Sequence, residues 1–214
     1  MSEAGLIDIS PSISAATAVW PGDTPFSRTV NASFAGGANL DLSEIRTTVH
    51  VGAHTDAPSH YRADGVGIDA RPLDLYFGPC LVVRVDVGRG ERVRPAHLPG
   101  SVRERESLPA RLLLATGTFP DPDHFNEDFA ALSPELISWS HERGVRLIGL
   151  DTPSVDLCRD AELLTHNAIA DRDMAILEGV VLGHVEPGEY TLIALPLRLA
   201  DADASPVRAA LLPR

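Results

Sequence analysis

The chain has 214 residues and a mass of 22.9 kDa, enough for one packed domain, and its 44% hydrophobic and 22% charged residues are those of an ordinary globular protein. Eighteen basic against 30 acidic side chains leave a formal charge of −12, a surface that repels nucleic-acid phosphates and anionic lipid headgroups. Every basic residue is arginine; with no lysine, Schiff-base catalysis, lysine-linked pyridoxal phosphate and a phosphate-loop lysine are excluded.

In chain order, short β-like segments are expected at Leu6 to Ile9, Phe26 to Phe34, Leu40 to Val49, Cys80 to Val87 and Arg111 to Ala115, punctuated by glycine and proline. A helix is expected from Ser133, a capping residue followed by Pro134 at the first helical position, to Gly144. Val145 to Leu150 reads as a buried strand that delivers Asp151 at its C-terminal end, and helix followed by strand points to parallel pairing. Ala161 to Ala170 reads as a short helix, Met174 to Gly183 and Tyr190 to Leu197 as strands, with a last strand around Val207 to Leu212. The layout is mixed α/β in one domain over residues 1–214. The charge-dense runs Glu91 to Arg94 and Arg103 to Glu106 read as solvated surface.

Two cysteines, Cys80 and Cys158, are too few for a disulfide framework or a CxxC site, which fits reducing cytoplasm; Cys158 reads as a small buried hydrophobe. The N-terminus has no basic stretch ahead of Leu6-Ile7, and no apolar run approaches the roughly 18 residues of a membrane span, so neither export nor insertion is expected.

The chemistry concentrates in His50-Val51-Gly52-Ala53-His54-Thr55-Asp56-Ala57-Pro58-Ser59-His60. In extended backbone, positions 50, 54 and 56 share one face. A straight strand would separate positions 50 and 54 by about 13 Å, whereas two donors on one metal lie within about 4 Å of each other. The chain must therefore bend, and Gly52 supplies the freedom to do so, while Pro58 stops regular pairing before His60. Burying these titratable groups together without a cation would cost several kcal/mol, so they are either solvated or compensated by a metal. Imidazoles plus carboxylate without thiolate favour zinc, with manganese as the alternative. Further ligands must come from afar; His166 and Glu178, each beside an apolar run, are candidates. There is no HExxH, GxSxG or GxGxxG motif.

The HxGxHxDxPxH stretch resembles the signature of the metal-dependent cyclase-like hydrolases, a family that includes bacterial kynurenine formamidases. Trp20-Pro21-Gly22-Asp23-Thr24-Pro25, Gly149 to Ser154, Ile176 to Gly179 and Asp203 to Arg208 resemble further blocks of that family, so the likeness spans the chain. The resemblance implies a swivelling β/β/α domain, a mixed sheet with flanking helices, assembled as a homodimer or a larger homo-oligomer. It implies two zinc ions, one on His50, His54 and Asp56, with Asp56 and Glu178 bridging to a second that His166 also binds. It further implies His60 as proton shuttle and Trp20 as a wall of an aryl pocket, although residue type alone would place Trp20 in the core. Two departures stand out: Ala53 where the signature often has threonine, and His166-Asn167 where relatives commonly pair histidines, the latter bearing on substrate preference.

The activity implied is hydrolysis of an aryl formamide, N-formyl-L-kynurenine, to L-kynurenine and formate by metal-activated water. Histidine is the side chain whose ordinary pKa suits moving the proton. Rival readings are another amide hydrolase of the same family, such as an isatin hydrolase or a polyketide cyclase, and a non-catalytic metal-binding domain. The last would keep His50, His54 and Asp56 without needing His60. The partner expected is the small-molecule substrate, with no nucleic acid and no membrane.

Overall fold

The computed structural model describes residues 5–214. Its strands are β1 (Ile7–Asp8), β2 (Ser27–Ala32), β3 (Leu42–Arg46), β4 (His54–Asp56), β5 (Phe77–Arg84), β6 (Arg92–Val93) and β7 (Arg111–Ala115), then β8 (Ala131–Leu132), β9 (Leu147–Leu150), β10 (Ala175–Leu177), β11 (Gly188–Ile193), β12 (Ala204–Pro206) and β13 (Ala210–Pro213). The helices are short: α1 (Gly100–Arg103), α2 (Pro134–Glu142) and α3 (Leu164–Ala170). None is long and apolar enough to cross a membrane.

A seven-stranded mixed sheet runs β1-β13-β11-β5-β7-β9-β10. The β1 to β5 half is antiparallel, and β5, β7, β9 and β10 pair in parallel. Arg111-Leu-Leu-Leu-Ala115 is buried along its length because both faces of a central parallel strand are covered. Alternation sends Cys80, Val82 and Leu113 into one core and Leu81, Val83, Leu112 and Leu114 into the other. The second core is closed by Leu136 and Ile137 of α2 and Ile169 of α3. The first is closed by irregular chain and β4, through Ala53, Ala57, Ile68 and Tyr76. At Gly149 a Cβ would lie 2.7 Å from Leu113 Cδ2 and 2.8 Å from Leu177 O, so only glycine lets β9 pack there. The architecture is the α/β class read from the sequence, a mixed sheet with flanking helices.

Helix α2 forms as its sequence dictates: Ser133 Oγ accepts from Leu136 N at 3.1 Å, Pro134 opens the helix, and Gly144 leaves it at φ 92°. Three expectations need correction. The Met174–Gly183 run is strand only over Ala175–Leu177, because Gly179 turns left-handed (φ 64°) and carries the chain across Gly52. Arg92, in a run read as solvated, is instead mostly buried in an ion-pair network, and Val93 beside it is fully buried. Cys158 is half-buried rather than a core residue, while Cys80 lies in the core. Helix α1 and strand β12 had no clear signal in the sequence.

Candidate metal centre

Strand β4 is the base of the site. It pairs antiparallel with β12 on one side, and on the other His54 exchanges backbone bonds with Glu178, N to O 3.1 Å and 2.9 Å. Strand alternation puts His54 and Asp56 on one face and turns Thr55 away to donate to Ile176 O at 2.6 Å. Ahead of β4 the chain bends at Gly52, whose φ is 60°. The bend brings the His50 ring to within 5.1 Å of the His54 ring, centroid to centroid, in place of the separation a straight strand would impose. Gly179 makes the neighbouring turn possible: a Cβ there would sit 2.2 Å from Gly52 O.

The distant candidates join this cluster. Glu178 follows β10 directly, and His166 lies on α3. Asp56 Oδ1 is 3.1 Å from His50 Nδ1 and 3.5 Å from His54 Nε2, while its Oδ2 is 3.5 Å from His166 Nε2. Glu178 divides in the same way, with Oε2 3.2 Å from His54 Nε2 and Oε1 3.9 Å from His166 Nε2. Each carboxylate thus offers one oxygen to the His50–His54 side and one to the His166 side. Three sets place donor atoms within 4.8 Å of one another, His50 with His54 and Asp56, Asp56 with His60 and His166, and the more exposed His50 with His60 and Asp203; Glu178 reaches its two imidazoles singly and joins none of them.

Two imidazoles have their outward nitrogen already committed. His54 Nδ1 is bonded to Gly52 O at 2.9 Å, and His166 Nδ1 to Asp156 Oδ2 at 2.8 Å, so both Nε2 atoms face the carboxylates. Such partners fix the tautomer and orientation of a metal-binding histidine. Asp156 is itself held by Arg92 Nη1 at 2.8 Å and by the backbone N–H groups of Thr165 and His166, and Arg92 also pairs with Asp160.

These residues fit a divalent cation. His54, Asp56, His166 and Glu178 are all at most 3% exposed, which rules out the solvated alternative. Both Asp56 oxygens are buried without a hydrogen-bond partner, although imidazole nitrogens stand 3.1–3.5 Å away. Oxygens left unpaired beside close imidazole nitrogens are satisfied together with those nitrogens when a cation lies among them. An uncompensated buried carboxylate is otherwise costly.

Without a cation the protons move to the imidazoles. Burial pushes His50 down, but Asp56, Asp203 and Glu178 outweigh it and raise its pKa from 6.5 to about 9. His166 is likewise lowered by burial and raised more by Asp156, Asp56 and Glu178, to about 10. Burial raises the Asp56 carboxyl, yet His166, His50 and His54 hold it well below its ordinary range. The pocket is a negative field that attracts positive charge, whether protons or metal.

The cluster opens into a cavity of about 460 Å³ at the C-terminal ends of β7, β9 and β10, which present Gly117, Asp151 and Glu178. Open α/β sheets place ligand sites at that edge. Trp20, partly buried, lines the cavity and stands edge-on to Phe125 (5.5 Å) and Phe129 (6.1 Å), so it belongs to the cavity wall rather than the core. His60 also lines it, on the 3-10 turn Pro58–His60, its ring 4.2 Å from His50. Asp151 lies at the end of β9, as its strand predicts, and accepts from Thr116 N, Thr116 Oγ1 and Gly117 N; burial raises its pKa against those bonds. Asn167 does not line the cavity: its amide donates to Glu162 O. Sequence reasoning missed Asp156, Arg92 and Asp203 as supports of the site. Asp156, ten residues before His166, carried no periodicity or motif that would single it out.

Comparison with known proteins finds relatives in sequence and in fold. The family model described as "Putative cyclase" matches residues 7–157. A kynurenine formamidase of Bordetella petrii is 46% identical over 206 residues, 96% of this chain and 97% of that protein. Among solved structures, isatin hydrolase A of Labrenzia aggregata superposes with a TM-score of 0.84 at 22% identity, covering 98% of this chain and 94% of that one. A predicted metal-dependent hydrolase of Bacillus stearothermophilus does so with a TM-score of 0.79 at 22% identity, covering 97% of each. On a family match over most of its length and a near-full-length relative, the chain belongs to the cyclase family.

Proposed function

We propose that the protein is a metal-dependent kynurenine formamidase, hydrolysing N-formyl-L-kynurenine to L-kynurenine and formate. The carrying observation is a buried imidazole–carboxylate cluster opening into an aromatic-walled cavity, in a chain 46% identical over almost its whole length to a protein named kynurenine formamidase. Zinc is the expected ion, two per subunit: His50, His54 and Asp56 would hold one, His166 the other, with Asp56 and Glu178 shared. The shared role suits the way each carboxylate divides its oxygens between the two sides. When bound, divalent cations supply Lewis acidity that makes water nucleophilic near neutral pH and neutralises negative charge developing on the formyl oxygen.

The chain's own groups do the rest. Trp20 and Phe125 present flat apolar surface to the aryl ring, worth about 1 kcal/mol beyond burial. His60, at the cavity edge, takes a proton from the attacking water and returns it to the aniline nitrogen as the C–N bond breaks, leaving formate and the free arylamine.

A homodimer fits the β2–β3 hairpin, where Val30, Leu42 and Ile45 are exposed although an isolated two-stranded ribbon is marginal in water. Two free thiols fit a cytoplasmic location. The deciding experiment follows N-formylkynurenine by ultraviolet absorbance with chelated and then zinc-restored protein, with isatin as the control substrate. Turnover that vanishes with chelation and returns with zinc is expected. Turnover of isatin alone would replace this reading by the lactam hydrolase, and metal binding with no turnover of either would leave a non-catalytic metal-binding domain.

A further inference from the structure

We propose that Asp203 is a positioning residue for His60, holding its imidazole in the tautomer that leaves Nε2 to exchange protons. The inference rests on His60 acting as the proton carrier. Asp203 immediately precedes β12, and Ala57 N donates to its carbonyl oxygen at 2.8 Å, so the backbone pins it beside the end of β4. Its Oδ2 lies 3.1 Å from His50 Nε2 and 3.5 Å from His60 Nδ1, and the two rings lie 4.2 Å apart at 43°.

One carboxylate oxygen therefore stands near a ring nitrogen of each of two neighbouring imidazoles, hydrogen-bonded to His50 and at ion-pair distance from His60. On His50 this leaves Nδ1 facing Asp56, the side of the buried cluster. On His60 the approach is longer, an ion-pair contact at 3.5 Å that favours a proton on Nδ1, and a wrong tautomer disables an acid–base histidine even when its ring is correctly placed. The turn carrying His60 is held independently: Ser59 N donates to Val66 O at 3.1 Å, and at Gly65 a Cβ would lie 2.3 Å from Pro58 C. What the turn's backbone does not fix is the orientation of the ring and its proton, which is the task left to Asp203. Its side chain is half exposed, so Asp203→Asn leaves the core untouched.

The test is a cycle of Asp203→Asn with His60→Ala in zinc-loaded protein, read with N-formylkynurenine, bound-metal analysis and nitrogen NMR of 15N-histidine-labelled protein. Assayed at saturating zinc, Asp203→Asn alone should lower kcat roughly 10- to 100-fold with KM within about twofold, while zinc affinity falls as His50 loses its outer partner. In the His60→Ala background the same substitution should change kcat less than about twofold, since residues acting as a unit are not additive. The His60 ring should carry its proton on Nδ1 in the parent and lose that preference in Asp203→Asn. Full kcat, an equal loss in both backgrounds, an unaltered His60 tautomer, or a kcat loss that excess zinc restores, which would place the effect on the metal through His50, would each overturn the proposal. If the parent itself does not turn over N-formylkynurenine, the formamidase reading fails, while the NMR readout still decides the role of Asp203.

Discussion

Asp156→Asn tests whether the site depends on the buried network behind His166. The carboxylate is about 1% exposed and accepts from Arg92 Nη1 (2.8 Å), Thr165 N (3.0 Å), His166 N (3.0 Å) and His166 Nδ1 (2.8 Å). Asparagine keeps one acceptor oxygen but points an NH2 at groups that are themselves donors, and it removes the charge opposite Arg92. Breaking a buried pair by changing one partner costs about 3–5 kcal/mol. Because Arg92 keeps Asp160, the lower figure of about 3 kcal/mol applies, a fall in Tm of roughly 6–12 °C for a chain of this size. Burial raises the Asp156 carboxyl, but His166, Thr165 and Arg92 hold it below its ordinary 3.8. Its stabilisation is thus complete above that value and is lost only as pH falls through the lowered one, so calorimetry at pH 7 reads all of it. Zinc affinity should fall about 10- to 100-fold as the His166 ring loses its anchor. Scanning calorimetry of metal-stripped protein and a competition titration against a chromophoric chelator measure the two effects. A variant that melts within about 2 °C of the parent and binds zinc equally well would refute the reasoning.

Three further outcomes are expected. In metal-free protein the raised His50 and His166 contribute stability in full below 6.5 that drains away as pH rises towards about 9 and about 10, whereas a metal needs the neutral rings; the gain in Tm from zinc should therefore grow from pH 6 to pH 9, and a constant gain would contradict it. Gly179→Ala, meeting Gly52 O at 2.2 Å, should cost well over about 2 kcal/mol and reduce bound metal, whereas Gly90→Ala, also left-handed but with open space around it, should cost about 1 kcal/mol; equal losses by denaturant melts would discount the close approach. His54→Ala should lose bound metal while His60→Ala keeps it and loses most turnover, and Trp20→Ala should raise KM with little change in Tm; metal analysis and steady-state kinetics separate these roles.

The sequence by itself determined what is local. Ser133-Pro134 starts a helix because the serine side chain caps an N–H and proline has none to lose, and Arg111 to Ala115 is a strand whose apolar run from Leu112 to Ala115 requires cover on both faces. Period two in a strand, with Gly52 as the one residue able to bend before it, put His50, His54 and Asp56 on one side. Only the tertiary structure decided the rest. Glu178 meets His54 because two strands far apart in the chain bridge there, and His166 faces Asp56 because α3 packs on the sheet. Asp156 and Arg92 look in sequence like any charged loop residues, Arg92 even sitting in a run that reads as surface, and Asp203 stands out only as the first residue of a block with a family likeness, with no role attached to it. Their roles arise from burial beside a partner distant in the chain, a property of the folded chain's proximity that no local pattern encodes.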